Sequence, residues 1–523
     1  MTMRPISSDD PSATITQAVF DEVRRAAPNG LNFDLTIDSS LEDAGLDSLT
    51  RMHVVNCLEE AFHIRFTEDS LYNIETCRDL VEYIAAKTAP QATSLAAVAP
   101  VATTPPRKTE VAVARSISPE CYDVEQFPEC VAFAQRLAGS AAVGLVNPFF
   151  RVKQRVDRTT VQIAGRDIIS YTSFDYLGMA RDPRVAAAAK AAIDCLGTSA
   201  SASRLVGGNN PIIEKLDETL ASFLGVEAAV TLPSGYGVNA SVFGHLFSSD
   251  DFILYDELAH NSIIQGSMLS QASRRAFPHN DFDFVDKLLG EIRNDFRRVV
   301  IAVEGVYSMD GDYPDLPRLV EIKRRHQALL YIDEAHSLGV MGPSGRGIFE
   351  HFGVDPCEGD LGMGTISKAL ASGGGFLAGR KSFVQYIKYT TPASVFATGL
   401  SPANAAASLA ALEILEKEPE RVARLQNRSE LFLRLAQQHG LDTGPSGGTP
   451  IIPIVVGDSM RSLAISAALL HRGIDAQPIL YPAVPESKAR VRFFITAEHT
   501  EQQIVQTIAA LAECFGAREF PAL

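Results

Sequence analysis

From about residue 120 onward, helical stretches of the sequence alternate with short runs of β-branched and apolar residues. Three of these runs are EAAVTL at 227–232, RRVVIAVEG at 297–305 and ALLYIDEA at 328–335. Parallel strands need a long crossover, usually a helix, so this alternation predicts an α/β domain with a mainly parallel sheet over 119–400. After about residue 400 the pattern changes to long helices and two later strand-like runs, which predicts a smaller α+β domain over 401–523.

A small acidic module precedes the α/β region. Residues 11–88 place apolar positions three and four apart, which predicts helices. Between residues 11 and 90 there are 14 acidic and 6 basic side chains, and their balance of −8 is half of the chain's net charge of −16. Residues 89–118 are rich in Ala, Pro and Thr without an amphipathic period, so they are predicted to form a flexible linker.

The composition argues against several classes of protein. A net charge of −16 argues against nucleic acid as a partner. No apolar run reaches the roughly 20 residues that a membrane span requires, and the first ten residues lack the apolar segment of a signal peptide. The seven cysteines are scattered without CxxC pairs, so neither a disulfide framework nor a metal site is predicted. The expected location is the reducing cytoplasm, with no transmembrane segment.

Ser48 stands in the segment EDAGLDSLTRM at 42–52, where an apolar-periodic helix is predicted to begin. Serine often caps a helix N-terminus beside acidic residues, so the motif alone fits a simple cap. Together with its acidic helical surroundings, however, the whole of 11–88 resembles an acyl carrier protein. That resemblance implies an all-α four-helix module whose Ser48 carries 4′-phosphopantetheine. The acidic face after Ser48 is then expected to attract basic patches on partner enzymes.

Lys368 lies among small residues, in DLGMGTISKALASGGGFLAG at 360–379. A lysine bonds covalently to an aldehyde only when its amine is deprotonated, so a catalytic lysine needs desolvation or a nearby positive charge. Small neighbours leave room for a flat cofactor, and the hydroxyl of Thr365 is placed to reach a phosphate. In this setting Lys368 resembles the Schiff-base lysine of enzymes that use pyridoxal 5′-phosphate (PLP).

Other segments carry further candidates, each with a plainer explanation when taken alone. Asp333 ends a buried strand, where ligands bind in open α/β sheets, although a carboxylate there also caps helices. His336 would on its own be an ordinary loop histidine. Gly235 and Tyr236 begin a helix after a strand, where backbone N–H groups suit a phosphate. The remaining candidates are His260 in YDELAHNSIIQG and Ser308 in VEGVYSMDG.

In order and spacing, the motifs DYLG, SMDG, DEAHSLGV with GRG, TISK and TAEHT resemble the α-oxoamine synthase family of fold-type I PLP enzymes. Members of this family include 8-amino-7-oxononanoate synthase, glycine C-acetyltransferase and serine palmitoyltransferase. The likeness spans about 147–515. It implies a PLP-dependent acyltransferase that condenses an amino acid with an acyl thioester, releases CO2 and works as a homodimer.

The resemblance also implies which side chains hold PLP. It makes Lys368 the Schiff-base lysine, Asp333 the partner of the pyridine nitrogen, and His260 the stacking residue, all three catalytic. It places His336 and Ser308 at the phenolic oxygen, and Gly235, Tyr236 and Thr365 at the phosphate. A second subunit completes the phosphate site from FATGLSP at 396–402. There Ala397 replaces the usual first hydroxyl, and Thr398 remains the candidate.

The family's arginine for the substrate carboxylate matches Arg492, in ARVRFFITAEHT at 489–500. A guanidinium fork suits a planar carboxylate because it can donate two parallel hydrogen bonds. The other arginine of this segment, Arg490, is predicted to be a surface residue on an edge strand.

Phe174 departs from the family pattern, because glycine- and alanine-using members usually carry Asn just before DYLG. An aromatic residue here is more similar to the serine palmitoyltransferase branch, so L-serine is the expected amino acid. The segment GTSASASRLVGG at 197–208 also lacks the commonest glycine-rich form, which leaves the shape of the site entrance open.

The fused carrier suggests that the acyl thioester arrives on the arm of Ser48. A phosphopantetheinyl transferase and an acyl-loading enzyme are then required partners. Three alternatives stay open: a non-enzymatic relative, a PLP enzyme for transamination or simple decarboxylation, and an acyl-CoA enzyme that uses its carrier for product hand-off. The last alternative would take glycine or alanine.

Overall fold

The computed structural model describes residues 11–26, 35–41, 54–55, 58, 62, 64, 74, 76–88, 117–142, 147–481 and 483–516. The chain divides into two compact units, Met1–Arg115 and Ser116–Leu523. No helix within the described ranges is both long enough and apolar enough to cross a membrane.

The N-terminal unit is helical where it is described. Helix α1 (Pro11–Ala26) contacts helix α2 (Cys77–Thr88), and both contribute to a small apolar core. Residues 54, 55, 58 and 62 are also helical, after the point near Ser48 where a helix is predicted to begin. Ser48 itself and residues 89–116 of the predicted linker lie outside the described residues.

The C-terminal unit holds the strands. In chain order they are β1 (Arg155–Asp157), β2 (Thr160–Ile163), β3 (Arg166–Ser170), β4 (Ala228–Leu232), β5 (Asp251–Asp256), β6 (Ser273–Phe277), β7 (Arg298–Glu304), β8 (Leu329–Asp333), β9 (Leu361–Thr365), β10 (Gly375–Gly379), β11 (Ile451–Val455), β12 (Ile474–Asp475), β13 (Gln477–Ile479) and β14 (Arg490–Phe494). The predicted runs at 227–232, 297–305 and 328–335 thus become β4, β7 and β8.

Helices connect and cover these strands. They are α3 (Pro128–Ala142), α4 (Pro183–Leu196), α5 (Pro211–Leu224), α6 (Gly235–Leu246), α7 (Asn261–Leu269), α8 (Phe282–Ile292), α9 (Leu316–His326), α10 (Ile348–Phe352), α11 (Lys381–Thr390), α12 (Pro392–Val395), α13 (Pro402–Lys417), α14 (Glu420–Gln438), α15 (Ser459–His471) and α16 (Glu501–Gly516). Local chemistry fixes several helix starts. Asn210 caps α5 just before Pro211, and Ser234 caps α6.

The main sheet has seven strands in the order β4-β10-β9-β8-β7-β5-β6. Only β10 runs antiparallel to its neighbours, so the predicted mainly parallel α/β fold is confirmed. Strands β7 and β8 are buried along almost their whole length, as expected for central parallel strands with helices on both faces. Their carboxyl ends meet at one edge of the sheet, where Glu304 is in register with Asp333.

Two smaller sheets complete the unit. One has the order β11-β14-β13, with β14 in the centre, and the other has the order β1-β2-β3-β12. Residues 155–170 therefore share a sheet with residues 474–475, while helix α13 packs against α4 and α5. The boundary between domains at 400 and 401 stays a prediction.

Candidate active site

Lys368 lies just after β9, in the loop that leads to the antiparallel strand β10. The residue is half-buried, and its amine lies 5.9 Å from the ring centre of Phe174. Burial lowers the pKa of Lys368 to about 8, with a further decrease from Arg492 that Asp333 and Glu304 oppose. The small residues around Lys368 thus leave its amine partly deprotonated near neutral pH, as a nucleophilic lysine requires.

The start of helix α6 meets the end of β9. A Cβ atom on Gly235 would lie 3.0 Å from Cβ of Thr365, and one on Gly375 would lie 2.6 Å from Cα of Gly235. The structure therefore brings Gly235 and Thr365 together, and the missing side chains permit that approach. The hydroxyls of Thr365 and Ser367 are 2.7 Å apart, which adds Ser367 to the group. Free N–H groups at a helix start attract anions, so this corner suits a phosphate.

Asp333 ends β8 and points toward helix α6. Nδ2 of Asn239 donates to Oδ2 of Asp333 at 2.7 Å, and the backbone N–H of Ala335 donates to Oδ1 at 2.9 Å. Nδ2 of Asn239 is also 2.8 Å from Oγ of Ser262, which is 2.6 Å from Nδ1 of His260. Asp333 and His260 thus belong to one hydrogen-bonded group.

His260 is the residue before helix α7 and is exposed. Its ring packs edge-on against Tyr236 at 6.3 Å, and Tyr236 is half-exposed at the start of α6. Burial of part of the ring lowers the pKa of His260, and the charge of Lys368 lowers it further against the opposing effect of Asp333. The imidazole is therefore neutral at pH 7.

His336 is buried. Its Nδ1 lies 2.7 Å from the hydroxyl of Tyr176, and its ring contacts Phe174 edge-on at 5.9 Å. Burial lowers the pKa of His336 well below its usual range, and the nearby charges of Lys368 and Arg492 act in the same direction. His336 is thus an uncharged hydrogen-bonding group.

Arg492 points from β14 toward the same region. Its Nη1 donates to the backbone carbonyl of Ser308 at 2.7 Å, so the predicted residues Arg492 and Ser308 are in contact. Its guanidinium lies 4.6 Å from the ring centre of Phe494, and its buried Nε has no partner among the described residues. Burial lowers the pKa of Arg492 to about 10, which leaves it charged at neutral pH. An unpaired N–H on a buried cation is suited to an anionic ligand.

The prediction for Arg490 was wrong. Strand β14 is central, and Arg490 is only 4% exposed. It forms a buried ion pair with Asp310 and also donates to the carbonyls of Met309 and Lys488. Strand order, which the sequence does not reveal, decides whether such a residue is buried.

Thr398 lies on an exposed segment beside Phe396, whose side chain is 86% exposed. The backbone N–H of Gly399 donates to the carbonyl of Ala202 at 3.1 Å. The segment predicted to reach a second subunit therefore lies against the 197–208 segment.

Glu304 was missed by sequence reasoning. It is 2% exposed at the end of β7, and its Oε1 has no partner among the described residues. Burial and the neighbouring Asp333 raise the pKa of Glu304 well above its usual range. Asn239, Ser262 and Tyr176 were missed as well. Asn239 and Tyr176 contact the predicted residues Asp333 and His336 from distant parts of the chain, and Ser262 joins Asn239 to His260.

Comparison with known proteins agrees with this geometry. A family model described as aminotransferase class I and II matches residues 166–511, about two thirds of the chain. The chain belongs to that family. A second model, described as a phosphopantetheine attachment site, matches residues 29–84, a range that includes Ser48.

Sequence and structural relatives indicate which enzymes of the family this chain is similar to. The 8-amino-7-oxononanoate synthase of Symbiobacterium thermophilum is 39% identical over 379 residues, which is 72% of this chain and 96% of that protein. A structure of Sphingomonas wittichii serine palmitoyltransferase matches with a TM-score of 0.71 and 29% identity, over 73% of this chain and 96% of the other. A Francisella tularensis 8-amino-7-oxononanoate synthase structure gives a TM-score of 0.56 and 26% identity, over 66% of this chain and 97% of the other. The enzyme is a PLP-dependent α-oxoamine synthase of the acyltransferase type, with a phosphopantetheine carrier domain.

The residues of the site fit PLP. A lysine with a lowered pKa can bond to its aldehyde, and the corner formed by Gly235 and Thr365 is shaped for close approach of a phosphate. Asp333 presents its carboxylate at the carboxyl edge of the sheet, where ligands of such folds bind.

Proposed function

We propose that the enzyme condenses L-serine with an acyl group carried as a thioester on the phosphopantetheine arm of Ser48. The products are an α-amino ketone, CO2 and the free thiol of the arm. The placement of Phe174 carries the choice of amino acid. Its ring is 39% exposed and contacts His336 at 5.9 Å, Phe494 at 4.7 Å and the Lys368 amine at 5.9 Å. It therefore forms one wall of the space next to the reacting amine.

When bound, PLP withdraws electrons from the Cα of the amino acid. Lys368 would hold the cofactor in the resting enzyme, and Asp333 would pair with its ring nitrogen. His260 would cover the ring, while His336 and Ser308 would lie at its phenolic oxygen. Gly235, Tyr236 and Thr365 would hold the phosphate, with Thr398 supplied by the second subunit of a homodimer.

Arg492 would bind the amino acid, and Lys368 would move its Cα proton. The guanidinium of Arg492 would bind the substrate carboxylate through its free Nε and thereby fix the orientation of the Cα–H bond. Nζ of Lys368, when released by the incoming amine, would take the Cα proton, because its lowered pKa keeps it largely free of a proton above pH 8. The Cα then bonds to the thioester carbonyl carbon, and the thiolate leaves with its electron pair and takes a proton from solvent. Loss of CO2 leaves an electron pair at Cα, to which Lys368 returns a proton.

The fused carrier would raise the local concentration of the acyl donor. The predicted linker, 89–118, has a root-mean-square span of about 30 Å if it is fully flexible. Tethering on that scale gives effective concentrations of the order of mM. This supports delivery from Ser48 within one chain or across the dimer.

An alternative is condensation of alanine or glycine with acyl-CoA, with the carrier in product hand-off. The identity of 39% to an 8-amino-7-oxononanoate synthase favours this reading. The experiment that separates the two supplies L-serine, L-alanine and glycine in competition and identifies the amino ketones by mass spectrometry.

The proposal predicts that the wild type prefers L-serine and that Phe174→Asn shifts the preference toward L-alanine or glycine by about tenfold or more in kcat/KM. Phe174→Tyr is the matched control, because it keeps an aromatic wall, and it should retain the serine preference. A wild type that prefers alanine over serine would overturn the choice of substrate.

A further inference from the structure

A continuous chain of hydrogen bonds connects the carboxylate of Asp333 with the imidazole of His260. Nδ2 of Asn239 lies 2.7 Å from Oδ2 of Asp333 and 2.8 Å from Oγ of Ser262. Oγ of Ser262 lies 2.6 Å from Nδ1 of His260. At the other end of the amide, the hydroxyl of Tyr331 donates to Oδ1 of Asn239 at 2.6 Å. Neither Asn239 nor Ser262 has a role in the function proposed above.

The chemistry of these groups fixes the direction of every bond. Both carboxylate oxygens of Asp333 accept hydrogen bonds from N–H groups, so Asn239 must turn its NH2 group toward Asp333. The second hydrogen of that NH2 group then points at Oγ of Ser262, which accepts it. The hydroxyl hydrogen of Ser262 is left to donate to Nδ1 of His260.

A second donor supports the same assignment. The backbone N–H of Ser262 points at Nδ1 of His260 at 3.2 Å, so this nitrogen faces two donors. If Nδ1 carried a proton, it could accept a hydrogen bond from neither the backbone N–H nor the hydroxyl of Ser262. That proton would also leave the hydroxyl of Ser262, which is fully buried, without an acceptor among the described residues. An unsatisfied buried donor is costly, which disfavours the reverse order.

We propose that Asn239 and Ser262 are positioning residues that hold His260 as the neutral tautomer with its proton on Nε2. The Asp333 carboxylate thereby orients the His260 ring through two intervening residues, Asn239 and Ser262. His260 then offers an uncharged ring and a single N–H donor to the ligand space, close to the amine of Lys368. A neutral His260 also places no second positive charge beside the amine of Lys368.

The effect of this tautomer on the cofactor rests on the proposed function, which places His260 beside the cofactor ring. The hydrogen-bond order itself depends only on groups of this chain. It can therefore be measured in the resting enzyme, with no amino acid or acyl donor present. A failure of the serine condensation would leave the tautomer result unchanged, so the two proposals can fail separately.

The test is 15N nuclear magnetic resonance of the full-length holoenzyme, labelled only at histidine. The two ring nitrogens of His260 are assigned by comparison with His260→Gln. The inference predicts that Nδ1 shows the shift of an unprotonated, hydrogen-bonded nitrogen and that Nε2 carries the proton. A protonated Nδ1 would overturn it, whatever the variants do.

Two serines of the same helix provide matched variants. Ser262 and Ser267 are both fully buried in α7, but the hydroxyl of Ser267 donates to the carbonyl of Ile264 and not to His260. Ser262→Ala should move the Nδ1 resonance of His260 toward the value of two exchanging tautomers, and Ser267→Ala should leave it in place. Equal spectra for the two variants would contradict the positioning role, and the Ser267→Ala result shows whether loss of a buried hydroxyl alone disturbs the ring.

Discussion

The hydroxyl of Tyr176 lies 2.7 Å from Nδ1 of His336, although 160 residues separate them in the chain. Both side chains are buried. The low pKa of His336 keeps its ring neutral, and a neutral imidazole has one donor and one acceptor nitrogen. A Tyr176 hydroxyl that donates to Nδ1 therefore leaves the proton of His336 on Nε2, where the proposed function needs a donor for the phenolic oxygen of the cofactor.

Tyr176→Phe should weaken PLP binding. Without the hydroxyl, Nδ1 of buried His336 loses its partner, at a cost of about 1–3 kcal/mol, and the ring loses its fixed orientation. The measurement is the loss of visible cofactor absorbance during dialysis. Tyr171→Phe is the control, because Tyr171 is equally buried and is hydrogen-bonded to Thr507 in another apolar cluster. If both variants lose PLP at the same rate, the hydroxyl of Tyr176 has no role in the site.

Capture of PLP by the apoenzyme should follow the titration of Lys368. Burial lowers its pKa from 10.5 to about 8, and only the deprotonated amine reacts with an aldehyde. The capture rate should therefore rise with pH and level off a little above pH 8, as followed by absorbance after mixing. Reaction of PLP with a free primary amine in the same buffers gives the control profile.

The same profile tests the charge of Arg492, which lowers the pKa of Lys368. In Arg492→Gln the midpoint should move to higher pH. A wild-type midpoint above pH 10 would contradict the assignment of Lys368 as an amine whose pKa is lowered by its surroundings.

Glu304→Gln should stabilise the protein increasingly as the pH rises. In the folded protein the pKa of Glu304 is raised well above the usual 4.5 of a glutamate. Its contribution to stability is therefore complete below about pH 4.5 and is lost as pH rises toward the folded pKa. Gln keeps the shape without the titration. The difference in Tm between Glu304→Gln and wild type should thus grow from pH 5 to pH 8, as measured by thermal unfolding. A difference that is constant or shrinks with pH would show that Glu304 is not held protonated.

Arg492→Lys should raise the KM for the amino acid by about 10- to 100-fold, because a lysine cannot replace a bidentate guanidinium. Arg490→Lys is the neighbouring control on the same strand. It disturbs the buried ion pair with Asp310 and should lower Tm while leaving KM largely unchanged. Steady-state kinetics and thermal unfolding of both variants check this. If Arg490→Lys raises KM more than Arg492→Lys does, Arg490 and not Arg492 binds the substrate carboxylate.

The sequence was informative where short-range patterns determine the structure. Buried apolar runs predicted β4, β7 and β8, and the small residues around Lys368 predicted space for a ligand. The contact of Gly235 with Thr365 follows from two glycine-rich turns at strand ends, each of which is visible in the sequence.

The residues that were missed depend on contacts across the chain. Asn239 is 94 residues from Asp333, and Tyr176 is 160 residues from His336, so no local pattern relates them. In the sequence, Glu304 is only the polar residue at the end of an apolar run. The register of β7 and β8 places it beside Asp333. Arg490 was misjudged because alternation along a strand does not reveal whether that strand is central.

The most direct test of the proposed function follows the acyl group on the carrier. Full-length protein bearing an acylated phosphopantetheine arm is mixed with L-serine, and intact-protein mass spectrometry is combined with CO2 detection. The account predicts that the acyl mass leaves Ser48 only when the amino acid is added, with one CO2 per acyl group, and that Lys368→Ala retains the acyl group. Two results together would contradict it. The acyl group would stay on Ser48 of the wild type, and Ser48→Ala would consume free acyl-CoA with serine at the wild-type rate.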